Sequence, residues 1–101
     1  MTQTLDGKEK YHFEHTKQRM VERHKIFFTK GDYEYLNMIV KERMSYDARG
    51  VRPDTNVVQI LSREMQTRNP QVIVKIFFRG EFRDFVWGIT DECLTTVLPK
   101  L

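Results

Sequence analysis

The last third of the chain contains three short apolar segments separated by polar turns. Residues 72–78 are dense in β-branched and aromatic side chains, and residues 82–89 alternate between two faces. Residues 93–98 end at Pro99, which cannot donate a ladder hydrogen bond. The pattern predicts an antiparallel meander, and the rest of the chain has to cover it.

Two helices are predicted before the meander. Apolar side chains at roughly helical spacing place one helix over residues 13–27 and another over residues 30–45. Thr29 followed three residues later by Asp32 is a capping signature, in which each side chain accepts a hydrogen bond from an unpaired amide. The apolar positions are Phe13, Met20, Val21 and Phe27, with His24 between them on the partly buried face, and then Tyr33, Leu36, Val40 and Met44.

The middle of the chain is less regular. Residues 46–55 contain glycine, proline and aspartate and predict a loop, in which Arg49 and Arg52 are exposed. Residues 57–68 fit either a helical stripe of apolar side chains or a strand with a valine-rich start. We favour the strand because the meander needs a further sheet partner.

The predicted fold class is therefore α+β, with two N-terminal helices packed on a three- or four-stranded antiparallel sheet. The 101 residues fit one domain, which we assign to residues 13–101 after a flexible segment at 1–12. A hydrophobic content of 40% is enough for a core and argues against wholesale disorder. No apolar run approaches the ~18 residues of a membrane span.

Compartment and cofactors follow from what the sequence lacks. The first ten residues carry charges and no apolar core, so we expect no secretory signal. One cysteine, Cys93, cannot form an internal disulfide, and this suits a reducing, cytoplasmic setting and an inert core thiol. The glycines are scattered rather than grouped in a phosphate loop, and His12 and His15 have no third ligand at metal-site spacing. We expect no metal and no cofactor.

Positive charge is concentrated at the start of the chain. The net charge is only +3, yet the first 31 residues hold seven Lys or Arg against four acids, together with all three histidines. A cationic helix of this kind can contact the phosphates of a nucleic acid. A solvated amphipathic helix with a chance excess of cations fits the same composition.

One constellation on the first helix can carry chemistry. His15, Arg19 and Arg23 are spaced by four residues and therefore share one stripe. Metal-independent RNA cleavage needs a proton acceptor, for which histidine is suited, and cations for the charge that builds on phosphorus, for which arginine is suited. Two guanidiniums also lower the pKa of His15 and favour the neutral base. We expect Arg79 and Arg83, near the first hairpin turn, to face the same cleft and bind phosphate.

Each of these features has a purely structural alternative. The first helix has a polar face in any case, and a hydrogen bond from His15 to the loop or sheet is an equally good reading. Asp91 and Glu92 are expected to form a solvated hairpin tip. Five aromatic side chains of the meander can form a base-stacking surface or a core, and we favour the core for most of them: Phe77, Phe78, Phe82, Phe85 and Trp87.

Two segments resemble a known family. The first segment contains Phe13-Glu14-His15, Arg19, Glu22-Arg23 and Ile26, followed by Thr29 and Asp32. This order is similar to the opening of small bacterial and phage toxin-like proteins. The second segment, residues 82–99, looks like their closing hairpin. These proteins belong to the RelE/BrnT-like ribonuclease-toxin group. The resemblance covers residues 13–45 and 72–99. It implies an endoribonuclease or translation-inhibiting toxin, or a descendant that keeps only the fold, with His15, Arg19 and Arg23 as the residues carried over.

The competing hypothesis is a non-enzymatic interaction module, such as a phage-encoded inhibitor of a host protein or a small homodimer. Four methionines can pack adaptable surfaces, and an edge strand at 57–66 or 94–98 can pair with another chain. DNA binding through the second helix is disfavoured by its mixed charge. The candidate partners are thus RNA, a host or antitoxin protein, and a second copy. The methionines are Met20, Met38, Met44 and Met65.

Overall fold

The computed structural model describes residues 7–51 and 57–100. Two helices are followed by a four-stranded antiparallel sheet of order β1-β2-β3-β4, which confirms the α+β class. Within the described ranges, neither helix combines the length and apolarity needed to cross a membrane. The elements are α1 Gly7–His24, α2 Lys30–Ala48, β1 Val58–Glu64, β2 Gln71–Phe78, β3 Glu81–Gly88 and β4 Cys93–Val97.

Helix α1 begins earlier than the apolar spacing predicts. Residues 7–12 form its first turns, within the segment predicted as flexible, while residues 1–6 lie outside the described part. The buried face consists of Phe13, Thr16, Met20 and His24. Val21 and Phe27, two of the apolar positions whose spacing predicts the helix, are exposed. The helix ends at His24, and the next residue, Lys25, adopts a left-handed φ of 59°.

Helix α2 begins at the predicted cap. The Thr29 hydroxyl accepts a hydrogen bond from the Asp32 amide at 3.0 Å, and the Asp32 carboxylate accepts one from the Thr29 amide at 3.0 Å. The helix continues to Ala48, so the predicted loop is wrong for residues 46–48. Arg49 is exposed as expected, whereas the prediction for Arg52 lies outside the described residues.

Strand β1 confirms the preferred reading of residues 57–68. It pairs antiparallel with β2, and the register shifts between Ile60 and Ser62, which places Leu61 in a bulge. Side chains of β2 then alternate between the helices and the opposite side of the sheet. Cross-strand partners share a face, so the inward Val74 pairs with the inward Phe85. The fully buried members of this core also include Phe28, Tyr33, Leu36, Val40, Val72, Ile76, Leu94 and Val97.

Strand β4 lies at one edge of the sheet, and side chains of both helices cover this edge. Tyr33 donates its hydroxyl hydrogen to the Leu94 carbonyl at 2.8 Å, and burial raises the pKa of Tyr33, which keeps the donor protonated. Asn37 accepts from the Leu94 amide at 2.9 Å. Arg23 donates to the Val97 carbonyl at 2.7 Å. The prediction of a free edge at 94–98 is therefore wrong, because side chains take the backbone groups that a partner strand would use.

Candidate functional site

One face of α1 gathers the basic and imidazole side chains of the helix. Five of these side chains are spaced by four, three, four and four residues, so they project within a sector of about 80° around the helix axis. This sector borders the covered edge of β4, because its first members reach the β3–β4 turn and its last member reaches the Val97 carbonyl. We call it the α1 stripe, and its members are Lys8, His12, His15, Arg19 and Arg23.

His15 lies beside an open groove. Its ring is partly exposed and stacks on Tyr11, with the ring centroids 6.3 Å apart and the planes 14° from parallel. The groove is shallow and open to solvent, with a volume of about 580 Å³. Its lining is mixed in charge and comes from a single helix: Tyr11, Glu14, His15, Lys17, Gln18, Val21 and Glu22.

The surroundings of His15 favour its neutral form. Partial burial is the largest cause that lowers the pKa of His15, followed by the positive charges of Arg19 and Arg23, while Glu22 opposes them. The direction agrees with the prediction from sequence, although burial contributes more than the arginines. A neutral imidazole near pH 7 has a free nitrogen that can accept a proton.

Arg19 belongs to a small polar cluster on the helix surface. It donates to a Glu22 carboxylate oxygen at 2.7 Å, and Gln18 donates to the other oxygen at 3.0 Å. Both hydrogen bonds lower the pKa of Glu22, and the one from Arg19 has the larger effect. The Nε of Arg19 is buried and has no hydrogen-bond partner among the described residues. A phosphate would therefore meet a guanidinium that Glu22 already orients.

Arg23 has a structural task as well as a charge. Its hydrogen bond to the Val97 carbonyl fastens α1 to the last strand. The same guanidinium contributes to the lowered pKa of His15, so it lies close enough to act on the groove electrostatically.

The structure adds a pair that the sequence did not indicate. His12 Nε2 lies 2.9 Å from a carboxylate oxygen of Asp91, and Lys8 Nζ lies 3.5 Å from the other oxygen. The hydrogen bond to His12 is the main cause that lowers the pKa of Asp91. Asp91 therefore does more than form a solvated turn. The pair borders a second groove of about 460 Å³, which also contains Asn69, Gln71, Thr90 and Thr95.

Arg79 and Arg83 lie elsewhere. Arg79 pairs with Asp32 at 3.1 Å at the start of α2. Arg83 is only 5% exposed, because its register opposite Ile76 points it towards the helices. It donates to the Phe78 carbonyl at 2.9 Å, and neither arginine lines the groove beside His15. The structure thus keeps three of the five predicted site residues on the α1 stripe, and of these three His15 alone lines the groove.

Arg83 also fixes the tautomer of His24. A guanidinium can only donate, so His24 Nδ1, at 2.9 Å from Arg83, must accept. The Nε2 atom then carries the proton and donates to the Leu98 carbonyl at 2.8 Å. His24 is therefore neutral and structural, in agreement with its predicted place on the buried face.

Metal ligands are not grouped in the part of the chain that the structure describes. No set of three or more His, Cys, Asp or Glu side chains there could hold a metal ion. Cys93 is a buried thiol outside any disulfide among the described residues, and it lies next to the Tyr33 side chain.

Comparison with family models, with curated proteins and with solved structures found no match for this chain. The similarity to the RelE/BrnT-like ribonuclease-toxin group therefore stays a prediction.

Proposed function

We propose that the α1 stripe binds the phosphate backbone of RNA and that His15 acts as a general base in metal-independent cleavage. The observation that carries the proposal is the lowered pKa of His15, which lines an open groove and is followed on the α1 stripe by Arg19 and Arg23. Burial and positive charge both keep this imidazole neutral, and the same charges attract phosphate. The toxin-like resemblance of the helix points in the same direction.

The α1 stripe contains a proton acceptor and a proton donor for such a reaction. Neutral His15 takes the proton of the ribose 2′-hydroxyl while the oxygen forms a bond to phosphorus. Arg19 stabilises the charge that develops on the phosphoryl oxygens. The bond to the 5′ oxygen breaks, and His12, whose Nε2 lies 2.9 Å from the Asp91 carboxylate, gives a proton to that leaving oxygen. The products are a 2′,3′-cyclic phosphate and a 5′-hydroxyl.

Cleavage of labelled RNA in the presence of a chelator tests the chemistry. We expect cleavage by the unaltered protein, and loss of about 10²- to 10⁴-fold in the rate for His15→Ala, the range typical of a general base. Tyr35→Ala, which alters an exposed ring on α2, is the matched control and should leave the rate unchanged. Undiminished cleavage by His15→Ala would remove His15 from the mechanism.

Salt dependence of binding tests the phosphate contacts separately. Each neutralised phosphate of a single strand adds about 0.7 to the slope of log affinity against log salt. Arg19→Gln should therefore reduce the slope by about 0.7. Lys41→Gln, at an exposed position of α2, should leave it unchanged. Equal slopes for the unaltered protein and Arg19→Gln would contradict the proposed contact.

The open edge of β1 favours a second candidate, the non-enzymatic interaction module. In the described sheet β1 pairs only with β2, and Leu61 and Met65 beside this edge are 47% and 53% exposed. Such an edge can take up a strand from a partner protein. Leu61→Lys should weaken the capture of a host protein without unfolding the domain. A protein that captures no partner, with or without this change, would exclude this candidate.

A further inference from the structure

The face of the sheet opposite the helices presents an aromatic pair to solvent. Phe77 and Phe82 are 48% and 43% exposed, and they lie directly across from each other on β2 and β3. Their ring centroids are 5.2 Å apart in an edge-to-face arrangement. Ile73 and Val86 form another cross-strand pair on this face, in which Ile73 is partly exposed and Val86 is buried. We call the six side chains of this face the outer face: Ile73, Lys75, Phe77, Phe82, Asp84 and Val86.

The outer face carries one charge of each sign at its centre. Lys75 pairs with Asp84 in the β2–β3 register, between the two apolar pairs. A lysine next to an aspartate gives little attraction for a polyanion, which needs several unopposed cations. The surface is suited to a partner that is itself apolar and carries both charges.

We propose that the outer face binds the outer face of a second copy of this chain. The two-fold axis lies between the two sheets, parallel to the strands and above the seam between β2 and β3. Rotation about this axis places β2 of one copy over β3 of the other, so each β2 side chain faces the residue that is its β3 partner in the register. Lys75 then faces Asp84 of the second copy, and Phe77 faces Phe82 of the second copy. The surface is complementary to itself, as a two-fold interface requires.

The geometry of packed sheets limits the strength of this contact. Aligned sheets pack about 10 Å apart and are rotated by about 30°, so the central pairs stay opposite while the ends diverge. The two strands that carry the outer face have eight residues each and cover roughly 250 Å² on each copy, from a rise of ~3.3 Å and a spacing of ~4.8 Å. Stable interfaces bury about 800 Å² on each partner. The dimer should therefore be weak and reversible.

This dimer is independent of the proposed RNA contact, because α1 packs on the other side of the sheet. Sedimentation equilibrium over a range of protein concentrations measures it directly. The mass should rise from 12.2 kDa towards twice that value as the concentration increases. Phe77→Ser combined with Phe82→Ser should raise the dissociation constant at least about tenfold. Phe27→Ser, at a 72% exposed ring outside the sheet, is the control and should leave it unchanged.

Charge exchange tests the predicted register. Lys75→Asp alone and Asp84→Lys alone each place like charges across the axis and should weaken self-association. A mixture of the two variants should recover it, because the two chains then face each other with opposite charges. Circular dichroism of each variant checks that the fold is retained.

Three results would overturn the proposal. The first is a mass that stays at 12.2 kDa up to millimolar concentration, and the second is a serine variant that associates as well as the unaltered protein. The third is a mixture of the two charge variants that associates no better than either variant alone. Capture of RNA or of another protein by the outer face, with no self-association, would assign this surface to a different partner.

Discussion

Replacement of Asn37 tests how the helices hold the last strand. The Asn37 side chain is 9% exposed and accepts the hydrogen bond of the Leu94 amide, and Leu94 is fully buried. Asn37→Ala leaves this amide without a partner, which costs about 1–3 kcal/mol. The higher helix propensity of alanine returns about 0.5 kcal/mol. We expect a net loss near 1.5 kcal/mol in the free energy of unfolding, or about 6–12 °C in melting temperature for a chain of this size.

Urea and thermal unfolding followed by circular dichroism measure this loss. The dependence on urea should keep its slope while the midpoint falls, because the surface exposed on unfolding does not change. Asn69→Ala, at an exposed bend, is the matched control and should stay within about 0.5 kcal/mol of the unaltered protein. If both variants unfold at the same midpoint, the hydrogen bond does not stabilise the edge of β4 as we argue.

Three further predictions concern the helix cap and the titrating groups. Thr29→Ala should lower the free energy of unfolding by about 1 kcal/mol and Thr29→Ser should largely restore it; equal stability of all three proteins would contradict the cap. Because His12 lowers the pKa of Asp91, stability from this pair is present above about pH 4 and is lost as the pH falls through the lower pKa of the folded state. Asp91→Asn should therefore flatten the acid limb of the stability curve, and an unchanged limb would refute this. By NMR, His15 should titrate below 6.5, and Arg19→Gln should move its midpoint upwards; a midpoint at or above 6.5 in the unaltered protein would show that burial and the arginines do not act as described.

Local patterns predicted most of the elements of this fold. Thr29 and Asp32 act on each other within one helical turn, so their spacing was enough to predict the start of α2. Strand alternation also indicates the orientation of Arg83. It lies two residues before Phe85 on β3, so both side chains project from the same face of the sheet, the one that packs on the helices. The burial of Arg83 could therefore have been inferred from its neighbours in sequence.

Contacts between distant residues could not be predicted in this way. The first turns of α1 are polar, and they are held in part by Asp91, which lies 79 residues from His12. The covered edge of β4 likewise depends on Tyr33 and Asn37, which are 57 residues or more from Leu94. Periodicity within a segment shows which face is apolar, but not which distant backbone group a polar side chain meets. The candidate site was therefore predicted only where it lies on a single helix.

An NMR titration with a short single-stranded RNA tests the central claim most directly. We expect chemical-shift changes at the backbone amides of His12, His15 and Arg19, and these changes should weaken as salt is added. Arg19→Gln should reduce them, while the amides of Phe77 and Phe82 on the far side of the sheet should remain unaffected. Shift changes confined to the sheet, or none at RNA concentrations up to a millimolar, would contradict an RNA-binding role for the α1 stripe.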